Sequence, residues 1–194
     1  MDKKAKKKNP LKLKACAVAL SLWGLSAVLT LSSAPVIAAE TASNTAQEQE
    51  AKALFNKGVA LDNLHRNEEA VAAFNDVITR FSNSQDPKIQ KAVAMALGAK
   101  GVNLAQLHRY EEAIATYNDL ITRFSNSQDT KIQEQVAMAL FNKGIILGRL
   151  DRVEQTRSVW KELVSYFWTS KDRDIQLITL QAQYRLPLLN MIPN

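Results

Sequence analysis

The sequence predicts an all-α fold, an α-solenoid of about three helix pairs that ends in a capping helix. Three observations predict it. A sequence pattern recurs every 43 residues, apolar residues within each unit follow helical spacing, and the 194 residues include only six glycines and five prolines. Low glycine and proline content favours helix. A period of about 20–50 residues is typical of stacked structural repeats.

Residues 1–38 have the order of a secretory signal peptide. Lysines crowd the start, an uncharged apolar run covers residues 15–31, and small residues surround a cleavage site after Ala38 or Ala39. This order predicts export. Pro35 favours cleavage because it interrupts a helix just before that site, and an uncleaved membrane anchor is the alternative. Both readings place the remainder outside the cytoplasm, in the bacterial periplasm or secreted.

The positive charge of the chain belongs to this N-terminal segment. The net charge is +6. Residues 1–38 hold seven lysines and one acidic residue, which leaves 18 basic and 18 acidic residues in the rest of the chain. A neutral domain lacks the basic surface that nucleic-acid binding needs. We therefore expect no nucleic-acid partner, and contact with a membrane only through an uncleaved N-terminal segment.

The repeat is visible as direct identity, because residues 78–86 recur unchanged at residues 121–129. Identity at a fixed offset indicates duplicated structural units. The predicted organisation is a polar tether at 39–44 and a repeat domain at 45–186, with units at 51–93, 94–136 and 137–173, a capping helix at 174–186 and a tail at 187–194.

Each unit is predicted to contain two helices joined by a tight turn. In the second unit Asp86 followed by Pro87 is a helix start, and apolar spacing extends the first helix to about residue 107. The turn follows at residues 108–110, and a shorter second helix comes after it. The third unit departs from the pattern, as terminal units of solenoids do, and Pro187 ends the capping helix.

The unit resembles the tetratricopeptide repeat. In the second unit Leu97, Gly101, Leu104, Ala113 and Tyr117 occupy the places of that family's characteristic residues. The resemblance covers residues 45–186 and implies a right-handed α-solenoid, in an elongated 43-residue variant of exported bacterial type. HEAT-like repeats have a similar period and are the alternative. We prefer the first because glycine and alanine recur 12 residues apart, with an aromatic residue four further on.

The resemblance also implies a concave groove, lined by the first helices, that binds a partner protein or an extended peptide. The matching positions are largely apolar, and their methionines can adapt to varied partners. For each residue the alternative is packing against the adjacent unit. The predicted groove residues are Lys52, Phe55, Asn56, Val59, Asp62, Asn63, Met95, Ala99, Val102, Gln106, Met138, Phe141, Asn142, Ile145 and Arg149.

Charged residues also recur at the repeat spacing. Lys100 and Asp119 are predicted to lie opposite each other and to form an ion pair within the second unit, worth about 0–1 kcal/mol if exposed. A charged stripe for a partner is the alternative.

Nothing in the sequence predicts an enzyme or a cofactor. His65 and His108 lack the neighbouring ligands that a metal site or a general base would need, and no catalytic motif is present. We expect no metal site and no catalytic residues. A structural or self-associating envelope module, joined through the ends of the array or through residues 186–192, is the alternative to the binding scaffold and is compatible with a homo-oligomer.

Overall fold

The computed structural model describes residues 42–191. The predicted signal peptide and the cleavage site at Ala38 and Ala39 lie outside the described residues. Gln47–Asn194 forms one compact unit, and the chain before it forms another, of which only residues 42–46 are described; these are helical. No helix within 42–191 is long and apolar enough to cross a membrane.

The described residues are helical apart from short turns, which confirms the predicted all-α class. The helices are α1 (42–63), α2 (Asn67–Phe81), α3 (Pro87–Gln106), α4 (Tyr110–Phe124), α5 (Thr130–Arg149), α6 (Val153–Phe167) and α7 (Arg173–Arg185), followed by a 3₁₀ helix (Pro187–Met191). Consecutive helices pack against each other, and α5 also contacts α3 and α7. This is an α-solenoid in which the odd-numbered helices are the first helices of successive pairs.

The first helices begin at a loop motif that recurs three times. Asp86 caps α3 by accepting hydrogen bonds from the backbone N–H groups of Lys88 and Ile89, at 2.8 and 3.3 Å. Ser84 braces the loop, because its Oγ accepts from the Asp86 N–H and its carbonyl accepts from Gln90. The same contacts recur 43 and 86 residues later. The loop therefore starts α3, α5 and α7 alike.

The turns inside the helix pairs use a left-handed residue that is not glycine. His65, His108 and Asp151 have φ of 57°, 60° and 59°. At each of them the helix ends in the same two backbone hydrogen bonds, as when Arg109 N donates to the Leu104 carbonyl at 2.9 Å and His108 N donates to Ala105. This is a Schellman motif. The hydrogen bonds offset the strain of a left-handed side-chain-bearing residue.

A glycine in each first helix faces an aromatic ring of the second helix. Gly101 faces Tyr117 and Gly144 faces Trp160. In the first pair, a Cβ at Gly58 would lie 2.5 Å from a ring carbon of Phe74. Real Cβ atoms do not approach carbon so closely, so the ring can lie against the helix backbone only where glycine is present.

Both ends of the repeat domain contain more regular structure than the predicted tether and tail suggested. Residues 42–44 of the tether are already helical. The start of the tail forms the 3₁₀ helix, where the Leu189 carbonyl accepts a hydrogen bond from Arg157 Nη2 at 3.3 Å. Leu189 is half-buried against the core. The tail thus folds back on α6 and α7.

The predicted ion pair between Lys100 and Asp119 is wrong. Lys100 Nζ instead donates to Asn75 Oδ1 of α2 at 2.8 Å, and Asp119 pairs with Arg123 one turn along α4 at 2.6 Å. The side chain of Lys100 points toward the preceding helix pair and not toward its own. Partial burial lowers the pKa of Lys100, although the acidic groups of Glu112 and Asp119 oppose that shift.

We expect Gly144→Ala and Gly148→Ala, one turn apart on α5, to change stability in opposite directions. Alanine at Gly144 must displace the Trp160 ring, which should cost about 2 kcal/mol or more. At exposed Gly148 the nearest atom to a new Cβ is 3.8 Å away, so alanine should add about 0.5 kcal/mol through helix propensity. Urea unfolding measures both values. Equal effects of the two changes would contradict the close approach at Gly144.

Candidate functional site

Three adjoining cavities run along the side of the molecule formed by α1, α3 and α5. The first lies between α1 and α3 and has a volume of about 310 Å³. The central cavity and the cavity between α3 and α5 each have about 240 Å³. Phe55 and Met95 line both the first and the central cavity, and Val102 lines both the central and the last. We call this continuous surface the groove.

Apolar side chains from all three helices form the middle of the groove. The ring of Phe55 lies 5.6 Å, centroid to centroid, from that of Phe74 behind it, which fixes its orientation. Met138, which lines the central cavity, is exposed to 38 %. Apolar side chains that line an open cavity are typical of a surface that binds other apolar groups.

Tyr117 and Asn142 provide the polar contact at the boundary between the central and last cavities. Tyr117 comes from the second helix α4 and is only 1 % exposed. Its hydroxyl lies near the side chain of Asn142 on α5. Burial raises the pKa of Tyr117 to about 12, and the neighbouring side chain of Asn142 opposes that rise. Both side chains line the central and last cavities of the groove.

Charged residues lie at the two ends of the groove. Near its α1 end, Lys88 pairs with Glu48 and Lys91 pairs with Asp129, both at 2.9 Å. Lys52 at the same end and Arg149 at the α5 end form no ion pair with another described residue. The groove is thus apolar along its length, with a cation at each end that is available to a partner.

A family model described as Tetratricopeptide repeat matches residues 52–84, which comprise most of the described α1, all of α2 and the loop that follows. The internal repeat carries the same glycine and aromatic positions into the next two helix pairs. Residues 52–84 are thus similar to the tetratricopeptide repeat. No curated protein matches the sequence. Repeats of this family are typically protein–protein interaction scaffolds without enzymatic activity.

The fifteen groove residues predicted from the tetratricopeptide resemblance divide into two sets. Val59, Asp62, Asn63 and Phe141 do not line the cavities, and Phe141 stacks on Trp160 with its centroid 6.0 Å away. The remaining eleven do line them: Lys52, Phe55, Asn56, Met95, Ala99, Val102, Gln106, Met138, Asn142, Ile145 and Arg149.

Sequence reasoning missed the groove residues that the tetratricopeptide pattern assigns to other roles. Tyr117 matched a characteristic position of the repeat and packs in the core, but its ring also reaches the groove past Gly101. Gln135 and Gly98 line the central cavity from α5 and α3. The hydroxyl of Tyr117, which Phe74 lacks at the same position of the first pair, was the available signal.

The two histidines of the tetratricopeptide array lie in the turns, away from the groove. His108 Nδ1 is 2.8 Å from the hydroxyl of Tyr110. Within residues 42–191 no group of three or more His, Cys, Asp or Glu side chains is arranged to hold a metal ion. The backbone role of these histidines, as left-handed turn residues, accounts for their repeat position.

We expect Tyr117→Phe to reduce the loss of stability at alkaline pH. The folded pKa of Tyr117 is about 12, whereas an unfolded tyrosine ionises near pH 10. Its contribution is complete below about pH 10 and is lost as pH rises from about 10 to 12. Over that window the natural chain should lose about 2–3 kcal/mol more unfolding free energy than the variant. Urea unfolding at several pH values checks this, and parallel losses in both chains would contradict it.

Proposed function

We propose that the groove of this tetratricopeptide array binds an apolar segment of a partner protein, and that it does so outside the cytoplasm. The observation that carries the binding proposal is the continuity of the three cavities, which share lining residues from α1 to α5. A partner in extended or helical form could place several side chains along such a surface.

The size and lining of the cavities favour a peptide over a compact small molecule. Each cavity, at about 240 to 310 Å³, is at or below the lower end of the range of about 300–1,000 Å³ typical of small-molecule pockets. Met95 and Met138 both line the central cavity, and methionine side chains can repack around different partner side chains. Lys52 and Arg149 at the ends suit acidic residues that flank the apolar segment of the partner.

The proposed location follows from the N-terminal residues. Lysines, an apolar run and small residues before Ala38 and Ala39 are the features of an export signal. The remaining 18 basic and 18 acidic residues balance, so the exported part would be electrically neutral. We propose the bacterial periplasm, or secretion, as the location of the array.

We expect a negative charge in the groove to weaken peptide binding. Peptides selected from a random library against the full chain should be rich in large apolar residues, and fluorescence anisotropy then gives their affinities. Met138→Asp should weaken binding at least about tenfold, because the carboxylate would be desolvated without a partner. Met138 is partly exposed, so the change should leave folding intact.

Leu64→Asp is the matched control, since Leu64 is 65 % exposed in the turn after α1 and lines no part of the groove. It should bind the selected peptides as the natural chain does. Val102→Asp provides a second groove variant at a residue that two cavities share. If both groove variants bind the peptides with unchanged affinity, the groove is not the binding site.

We expect the exported chain to begin at Ala39 or Glu40. Signal peptidases cleave after small residues that follow the apolar run, and a proline such as Pro35 disfavours helix just before such a site. N-terminal sequencing of the chain recovered from the periplasm or medium of an expressing bacterium checks this. An intact N-terminus on a membrane-bound chain would support the uncleaved anchor, and a chain confined to the cytoplasm would contradict export.

A further inference from the structure

The exposed apolar side chains of this molecule are concentrated at its C-terminal end. Six of the eight large apolar or aromatic side chains that are exposed in the described residues lie between Tyr166 and Leu188. Three of them lie on α7: Leu177, Leu180 and Tyr184 are 56, 59 and 76 % exposed, and Leu188, 50 % exposed, lies in the 3₁₀ helix that follows. Steps of three and four residues place Leu177, Leu180 and Tyr184 in one stripe of α7, which we call the α7 stripe.

The opposite side of α7 is the one that packs on the array. Ile175, Thr179 and Ala182 are buried against the preceding helices. In the 43-residue register Leu180 corresponds to Ala94 and Ala137, and both alanines are completely buried. The residue at this position is therefore buried in α3 and α5 but exposed in α7. The α7 stripe is therefore the uncovered face of a first helix.

Charge on α7 is restricted to its ends. Residues 175–184 contain no charged side chain, whereas Arg173 and Asp174 lie in the first turn and Arg185 in the last. Asp174 and Arg185 form no ion pair with another described residue, although Arg185 lies over the ring of Phe141 at 5.2 Å. Two copies of α7 in antiparallel order would bring each Asp174 to the Arg185 of the other copy.

We propose that the α7 stripe is a homodimer interface in which two copies pack α7 against α7 about a two-fold axis. The antiparallel order places Leu180 beside the axis and Leu177 opposite Tyr184 of the second copy, so the surface is complementary to itself. Beside Leu180, a cavity of about 200 Å³ lined by Phe167, Trp168 and Thr179 can receive an apolar side chain of the second copy. The helix dipoles also oppose each other in this order.

This interface is separate from the groove, so it goes beyond the proposed function and fails or succeeds independently of it. Val102→Asp should leave dimerisation unchanged, and a change in the α7 stripe should leave peptide affinity unchanged. Self-association therefore does not compete with partner binding, because the two surfaces involve different residues.

Sedimentation equilibrium of the full chain over a wide concentration range tests the proposal. The natural chain should form a dimer, and Leu180→Asp should weaken it at least about 100-fold, because two carboxylates would be buried together near the axis. Leu64→Asp, at an equally exposed leucine outside the stripe, should dimerise as the natural chain does. Because both leucines are exposed, neither change should lower the unfolding temperature appreciably.

A charge exchange tests the antiparallel order. Asp174→Arg alone and Arg185→Asp alone should each weaken the dimer about tenfold, and the double variant should recover most of the affinity. In a Cys16→Ser background, Leu180→Cys should form a disulfide-linked dimer on mild oxidation. Glu162→Cys, at an exposed position of α6, should not.

Three results would overturn the proposal. The natural chain could sediment as a monomer at every concentration. A dimer could persist in Leu180→Asp, which would place association elsewhere, including the apolar residues 15–31. The natural chain could be a monomer that binds a different protein, and Leu180→Asp could abolish that binding. This result would assign the α7 stripe to a foreign partner.

Discussion

The contact between a helix glycine and an aromatic ring determines how closely each helix pair packs. Phe74, Tyr117 and Trp160 increase in size along the chain, and each lies against the backbone of Gly58, Gly101 or Gly144. Tyr117 and Trp160 each carry a polar atom. Trp160 Nε1 donates to the Phe141 carbonyl at 3.2 Å, and the Tyr117 hydroxyl lies near the side chain of Asn142. The ring that packs on Gly101 therefore also lines the groove.

The long first helices follow from the second constraint, which is the loop that precedes them. The family match ends at Ser84. In the 43-residue register, the first matched residue, Lys52, corresponds to Met95 of the next unit. The residues between them form the Asp86 cap and the first two turns of α3. These added turns carry Lys88, Lys91 and Ala92, which line the first cavity of the groove. The extension therefore contributes lining residues to the groove.

Repetition made the fold predictable and left the side-chain partners unpredictable. The Asp86–Pro87 start and the glycine spacing correctly fixed α3 and its packing on α4, because both depend on local backbone chemistry. The predicted pairing of Lys100 with Asp119 was wrong. Recurrence of charged residues at the repeat spacing gives the position of each residue along its helix, but not the direction of a long side chain. Asp119 lies in the same helix pair as Lys100, but Asn75 on the preceding pair accepts its hydrogen bond. Similarly, the 3₁₀ helix after Pro187 depends on Arg157 from α6, which no local pattern indicates.

The same register that builds the array also explains why its last helix differs from the others. A first helix of a solenoid has a side covered by its own second helix and a side covered by the next unit, so small residues such as Ala94 and Ala137 fit there. At that position α7 has Leu180, a side chain too large for the space that the alanines occupy and well suited to fill an interface. A cap that only had to face water would carry polar residues, as terminal repeats generally do. The exposed leucines of α7 instead have the composition of a surface that is covered in the working protein, which is why the end of the array and its groove are best understood as two separate binding surfaces.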